Sequence, residues 1–169
     1  DFVDDNFVPK ISLDTKNVIR MRTFSKAYGM AGLRVGYAIG EKDLILNFEK
    51  IRNHFGMSRI SQVGALAALE DYDFISEVIN KVKLSRNRIA DIANNNSCKF
   101  IPSFTNFVAI DCLKDSKFAK KVLENLINNG VFVRMPYSYP QNRCIRVTVG
   151  LDKDIDLFEK YFPIALKES

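Results

Sequence analysis

The fifteen residues Thr23-Phe24-Ser25-Lys26-Ala27-Tyr28-Gly29-Met30-Ala31-Gly32-Leu33-Arg34-Val35-Gly36-Tyr37 limit what this chain can fold into more than any other stretch. Hydrophobic strands are expected on either side, Val18–Met21 leading in and Val35–Ile39 leading out. Gly29, Gly32 and Gly36 fall within eight positions, which lets the backbone turn sharply and come close to a ligand. Thr23 and Ser25 offer hydroxyl donors and Arg34 a guanidinium fork, a set suited to one phosphate group. Lys26 places a nucleophilic amine among them.

A lysine able to form a Schiff base beside a phosphate clamp is what pyridoxal phosphate chemistry needs. Ser-Lys alone is an ordinary surface pair, and Gly-x-x-Gly alone is common. The whole string Ser25-Lys26-x-x-Gly29-x-x-Gly32-x-Arg34-x-Gly36 is far more specific, and it closely resembles the lysine segment of fold-type I aminotransferases, in particular the histidinol-phosphate aminotransferase branch. The resemblance covers essentially the whole chain. It implies an α/β fold consisting of the end of a large cofactor domain followed by an α+β small domain. It implies pyridoxal 5'-phosphate as cofactor, Lys26 as the Schiff-base lysine, and Arg34, helped by Thr23 and Ser25, as the phosphate anchor. The amine of Lys26 is expected to be buried against an apolar wall. Further along, Ile145-Arg146-Val147-Thr148-Val149-Gly150 matches the strand that carries the family's substrate arginine. Arg146 and Arg134 are therefore expected to grip the anionic end of the substrate, with a solvated strand end as the competing reading of Arg134. Asn106-Phe107 resembles the Asn-Phe that opens a small-domain strand, although a plain strand-entry turn would explain it equally well.

Composition narrows the alternatives. The net charge is +5, but the basic residues are scattered. Arg86/Arg88, Lys120-Lys121 and Lys81/Lys83 each fall in a helical pattern and read as solvated faces. No basic stripe with interleaved aromatics suggests nucleic acid as a partner. No apolar run approaches the ~20 residues of a membrane span, and Asp1-Phe2-Val3-Asp4-Asp5 lacks the basic and apolar regions of a signal peptide. A cytoplasmic protein is expected. Cys98, Cys112 and Cys144 are far apart and odd in number, and with His54 the single histidine no metal site is expected. Buried or half-buried reduced thiols are the better reading.

Periodicity orders the rest. Residues 1–16 read as a loop and Asn17–Phe24 as a strand. A helix from Glu41 to Asn53 should bury Leu44, Ile45, Phe48 and Ile51. Ser58 or Ser61 should cap a second helix with Ile60, Val63, Ala67 and Leu69 on its apolar face. The small residues of Gly64-Ala65-Leu66-Ala67-Ala68 invite close packing of another backbone. Asp71-Tyr72-Asp73 interrupts the pattern before a longer helix carrying Ile75, Val78, Ile79, Val82, Ile89 and Ala93, broken at Asn94-Asn95-Asn96. Beyond it come a strand at Thr105–Asp111, a helix at Ser116–Asn129 buried through Phe118, Val122, Leu126 and Ile127 and stopped by Gly130, a strand at Val131–Arg134, a loop bracketed by Pro136 and Pro140, a strand at Arg143–Val149, and a helix at Asp152–Leu166 buried through Ile155, Phe158 and Phe162.

Residues 1–72 thus read as the end of a large cofactor-binding domain, too strand-poor to close a sheet alone, and residues 73–169 as a small domain hung on a long helix. In the family an acidic residue that holds the cofactor's pyridine nitrogen lies upstream of the segment matched here, and Asp4 and Asp5 read as loop acids instead. The chain is therefore expected to be truncated and inactive alone. His54 and Phe55 depart from the proline and tyrosine the family often carries in a substrate-facing loop. The partners implied are an amino donor, a 2-oxo acid acceptor and a second copy in a homodimer. Other readings stay open: an aminotransferase for another amino acid, a phosphothreonine-type decarboxylase on the same scaffold, or a non-catalytic fragment or association module.

Overall fold

The computed structural model describes residues 1–169, apart from the side chain of Asp5, which puts the loop-acid reading of that residue outside the described residues. The chain divides into two compact units, residues 3–79 together with Asp1, and residues 80–169 together with Phe2.

In the first unit the lysine stretch is the connection of an antiparallel pair. Strand β1 (Ile19–Thr23) runs against β2 (Gly36–Gly40), with Ile19 opposite Gly40 and Thr23 opposite Gly36. β1 is shorter than the Asn17–Phe24 pattern, and β2 starts one residue later than the expected Val35–Ile39. Asn17 has φ 61° and Arg34 φ 50°, and a left-handed residue ends the extended chain on either side. Gly36 sits so close to β1 that a Cβ there would lie 2.6 Å from the Arg22 carbonyl oxygen.

After β2, Glu41 caps α1 (Lys42–Leu46) by accepting from the amides of Asp43 and Leu44 at 3.1 and 3.0 Å. The helix expected to reach Asn53 is only this turn and a 3₁₀ turn at Asn47–Lys50. Asn47 turns its side-chain amide back onto the Asp43 carbonyl at 2.8 Å, competing with the helical backbone. Leu44 and Ile45 are half-buried, while Phe48 and Ile51 are exposed.

Helix α2 (Arg59–Glu70) is capped by Ser58, whose hydroxyl accepts from the Ser61 amide at 3.0 Å. Its buried face is the reverse of the expected one. Ile60, Val63 and Leu69 are exposed, and Ala67 with them; Ser61 and Ala65 are buried instead. The cause is the small-residue run: a Cβ on Gly64 would meet Met30 at 3.2 Å and Leu33 at 3.3 Å. Only the small face lets this helix lie so close to the lysine stretch. Phe24, Val35 and Ala65 form the core there, flanked by Tyr28, Met30, Leu33 and Ala68.

Helix α3 (Tyr72–Asn95), with Asp71 accepting from the Phe74 amide at 3.0 Å, buries Ile89, Ala90, Ile92 and Ala93 in its later turns. In the second unit β3 (Lys99–Ile101), β4 (Phe107–Asp111) and β5 (Cys144–Thr148) form an antiparallel sheet in that order. Helix α4 (Ser116–Asn128) is capped by Asp115, whose carboxylate accepts from the Phe118 amide at 2.9 Å, and it ends at Gly130 with φ 78°. Helix α5 (Asp152–Lys167) closes the chain. Val108, Ile110, Ile145 and Val147 meet Val122, Leu126, Ile155, Phe158 and Phe162 in one core, where each fully buried large side chain contributes about 1.5–3 kcal/mol.

β3 is a strand that the sequence pattern does not predict. Two expectations fail here. Val131–Arg134 is not a strand: Val131 and Val133 are buried with strand-like alternation, but among the described residues the bridge from this stretch is that of Arg134 with Arg146. Ile127 is exposed, while Ala119 takes its place in the core. Among the described residues no helix is long and apolar enough to cross a membrane, and no group of His, Cys, Asp or Glu suited to a metal ion occurs.

Candidate functional site

Backbone hydrogen bonds fix the lysine stretch. The Phe24 amide donates to Val35 O at 3.3 Å, and the Met30 amide to Phe24 O at 3.0 Å. With Phe24 and Ala27 buried on either side of it, Lys26 is held at the surface of a closed turn, and its carbonyl accepts from the Gly29 amide at 2.9 Å. Gly29 has φ 67°, the left-handed region in which glycine avoids a steric penalty. Thr23 Oγ1 accepts from the Ser25 amide at 3.1 Å, so its own proton remains available to a ligand. Phe24 stacks obliquely on Tyr28 at 4.9 Å and on Tyr37 at 5.7 Å, and burial pushes the Tyr28 phenol up from its ordinary value.

Arg34 is exposed and left-handed, with φ 50° and ψ 47°, a conformation costing roughly 1–2 kcal/mol for a residue with a Cβ. Its guanidinium rests on the Ala31 carbonyl at 2.8 Å. Among the described residues no carboxylate pairs with Arg34 or Lys26. Lys26 is exposed rather than buried, because nothing in its own unit lies over the amine.

Ser61 is the residue that sequence reasoning took only for a possible cap. It is buried, donates to the Leu33 carbonyl at 2.7 Å and shares a hydrogen bond with the Ser58 hydroxyl at 2.9 Å. It thereby ties the start of α2 to the residue before Arg34. The signal was in the sequence: a hydroxyl one turn into a helix, beside Gly64 and Ala65.

In the second unit the structure brings Arg134 and Arg146 together. Their backbones exchange both hydrogen bonds, Arg134 N to Arg146 O at 3.1 Å and the reverse at 2.6 Å. Such a pair shares one face of the sheet with Cα atoms ~5.5 Å apart. The Arg146 guanidinium lies 4.9 Å from the centre of the Phe107 ring, and its buried Nε finds no hydrogen-bond partner. Neither arginine has a carboxylate partner among the described residues, whereas Arg143 is paired with buried Asp111 at 2.6 Å. Arg134 and Arg146 line a cavity of about 790 Å³ with Lys120, Phe132, Met135 and Tyr137. Two like charges directly opposed across strands are destabilising unless an anion joins them. Phe107, beneath Arg146, was read only as a strand opener. His54 and Phe55 lie in an exposed turn.

The family profile of aminotransferase class I and II matches residues 1–157. The chain belongs to the class I and II aminotransferases. Histidinol-phosphate aminotransferase of Bacillus velezensis is 42% identical over 134 residues, which make up 79% of this chain and 36% of that protein. The one from Aliarcobacter butzleri is 38% identical over 143 residues, 84% of this chain and 38% of that protein. The crystal structure of histidinol-phosphate aminotransferase from Sinorhizobium meliloti in complex with pyridoxal-5'-phosphate superposes with a TM-score of 0.87 at 47% identity, over 92% of this chain and 42% of that one. A putative histidinol-phosphate aminotransferase from Erwinia carotovora, 23% identical with a TM-score of 0.86, shares the fold. The aminotransferase chain described here spans about two fifths of the length of the curated relatives it matches.

Proposed function

We propose that this chain is the lysine-bearing part of a pyridoxal phosphate-dependent aminotransferase of the histidinol-phosphate type. It would move an amino group between an amino acid or amino phosphate and a 2-oxo acid. The observation that carries this reading is the lysine turn: an exposed Lys26 with Thr23, Ser25 and an acid-free Arg34 on the same stretch. That donor set fits the cofactor, with a nucleophilic amine for an aldehyde, and two hydroxyls and a guanidinium for a phosphate. When bound, the cofactor supplies an electron sink for the amino-group transfer.

Lys26 Nζ is the amine that would hold the cofactor, and as a free amine it would carry the proton to and from the substrate Cα. Arg34 anchors the phosphate through a planar fork that lysine does not reproduce. Arg146, steadied on the Phe107 ring, and Arg134 beside it bind the substrate's phosphate or carboxylate and orient its Cα. Residues 1–72 serve as the end of the cofactor domain and residues 73–169 as the small domain. The enzyme works as a homodimer in the cytoplasm, a placement supported by three free thiols. The test is Lys26→Ala in the complete enzyme: turnover lost with the fold kept supports the reading, and near-native transamination overturns it.

A further inference from the structure

Cys98 and Cys112 lie just beyond the ends of β3 and β4. The register of those strands pairs Lys99 with Asp111, Phe100 with Ile110 and Ile101 with Ala109. Continued by one residue, it sets Cys98 directly opposite Cys112. The hydrogen bonding tells which kind of pair this is. The Cys112 amide donates away from β3, to the Arg143 carbonyl on the β5 side at 3.3 Å, and the Cys98 amide turns back to Ala93 O at 3.0 Å. The two cysteines therefore form a non-hydrogen-bonded antiparallel pair, in which Cα atoms lie ~4.5 Å apart and side chains approach most closely. That spacing falls inside the ~4.4–6.8 Å range a disulfide spans. Cys144 is opposite Asp111, one position out of phase, and so points to the other face of the sheet.

We infer that Cys98 and Cys112 are a reversible dithiol–disulfide site that responds to hydroperoxides and locks the β3–β4 end of the second unit. The register that sets them opposite each other makes the two thiols neighbours, and Cys112 beside it holds the Cys98 thiol below its ordinary value, while Cys112 itself is pushed up. Cys98 is thus the attacking sulfur. Both cysteines are mostly buried, but each adjoins a left-handed turn residue at the sheet's end, Ser97 with φ 56° and Leu113 with φ 57°. Leu113 is itself exposed, so the sheet's end where the cysteines lie is near the surface.

The chemistry balances with hydrogen peroxide as oxidant. The Cys98 sulfur attacks one peroxide oxygen, the O–O bond breaks, and water leaves a sulfenic acid on Cys98. The Cys112 sulfur then attacks the Cys98 sulfur, the S–O bond breaks, and a second water leaves. Each cysteine is oxidised by one electron, the peroxide is reduced by two, and both thiol protons end in the two waters. A thiol reductant reverses the bond.

The experiment exposes the folded chain to hydrogen peroxide, alkylates the remaining thiols and maps the peptides without reduction. The expected result is a loss of two hydrogens, a single alkylatable thiol at Cys144, and a cross-linked pair of peptides carrying Cys98 and Cys112. Cys144→Ser forms the same link, and Cys112→Ala forms none. The oxidised chain also melts several degrees higher, and dithiothreitol restores the original midpoint. Three alkylatable thiols after complete exposure, or a link made through Cys144, would overturn the proposal. Wild type and Cys144→Ser decide the matter even if Cys112→Ala does not fold.

Discussion

Replacing Arg146 with methionine should stabilise the chain and at the same time remove its affinity for anions. Three contributions set the sign. The buried Nε of Arg146 has no partner, and an unmet buried donor costs about 1–3 kcal/mol. Arg134 stands directly across the bridge, a like-charge opposition worth roughly 0.2–1 kcal/mol. Against these stands the contact of the guanidinium with the Phe107 ring at 4.9 Å, worth about 0.5–1 kcal/mol at a partly exposed site. Methionine keeps an apolar stem over Phe107 and removes both penalties, so a net gain of ~0.2–3.5 kcal/mol is expected. For a chain of this length each kcal/mol raises the melting midpoint by about 2–4 °C. Inorganic phosphate should stabilise the wild type by mass action, by about 2.7 kcal/mol at a hundredfold excess over its dissociation constant. The variant should show only the general salting effect, which cancels when the two increments are compared. Calorimetric melts with and without phosphate read both quantities. A variant that melts lower than wild type, or that phosphate stabilises equally, refutes the reasoning.

Other substitutions probe the supports of the lysine turn. Ser61→Ala leaves the Leu33 carbonyl without its 2.7 Å donor and should cost about 1–3 kcal/mol in urea unfolding; a loss below ~0.5 kcal/mol would remove Ser61 as the tie. Gly36→Ala forces a Cβ to within 2.6 Å of the Arg22 carbonyl oxygen. The β1–β2 pair must then shift, at roughly 1–3 kcal/mol, and unchanged stability would contradict the close approach. Val63→Thr, on the outward face of α2 with 69% exposure, should change stability by less than ~0.5 kcal/mol; a cost of 1 kcal/mol or more would mean that this face is buried after all.

The lysine turn was readable because its chemistry is local: the hydroxyls, the amine, the glycines and the guanidinium lie within fifteen consecutive residues. The face of α2 was misread because hydrophobicity was taken as the guide to burial. Close approach to the Met30–Leu33 stretch selects small side chains instead, and leaves Ile60 and Val63 outside. Val131–Arg134 shows a related limit, since alternation reports which side chains face the core, not whether the backbone finds a ladder. β3 is three residues long, too short for any period to show. The meeting of Arg134 and Arg146 was legible from the loop bracketed by Pro136 and Pro140, which folds the chain back, and from the matching strand motif; their direct opposition was not, because that register depends on the path of the intervening loop.

The central proposal is that Lys26 is the residue to which the cofactor bonds. Incubating the complete enzyme with pyridoxal phosphate, reducing with borohydride and sequencing the labelled peptide by mass spectrometry tests it directly. The label should fall on Lys26, in the peptide preceding Ala27-Tyr28-Gly29, and should be absent from Lys26→Ala. Stoichiometric labelling of another lysine, with Lys26 unmodified, would contradict it.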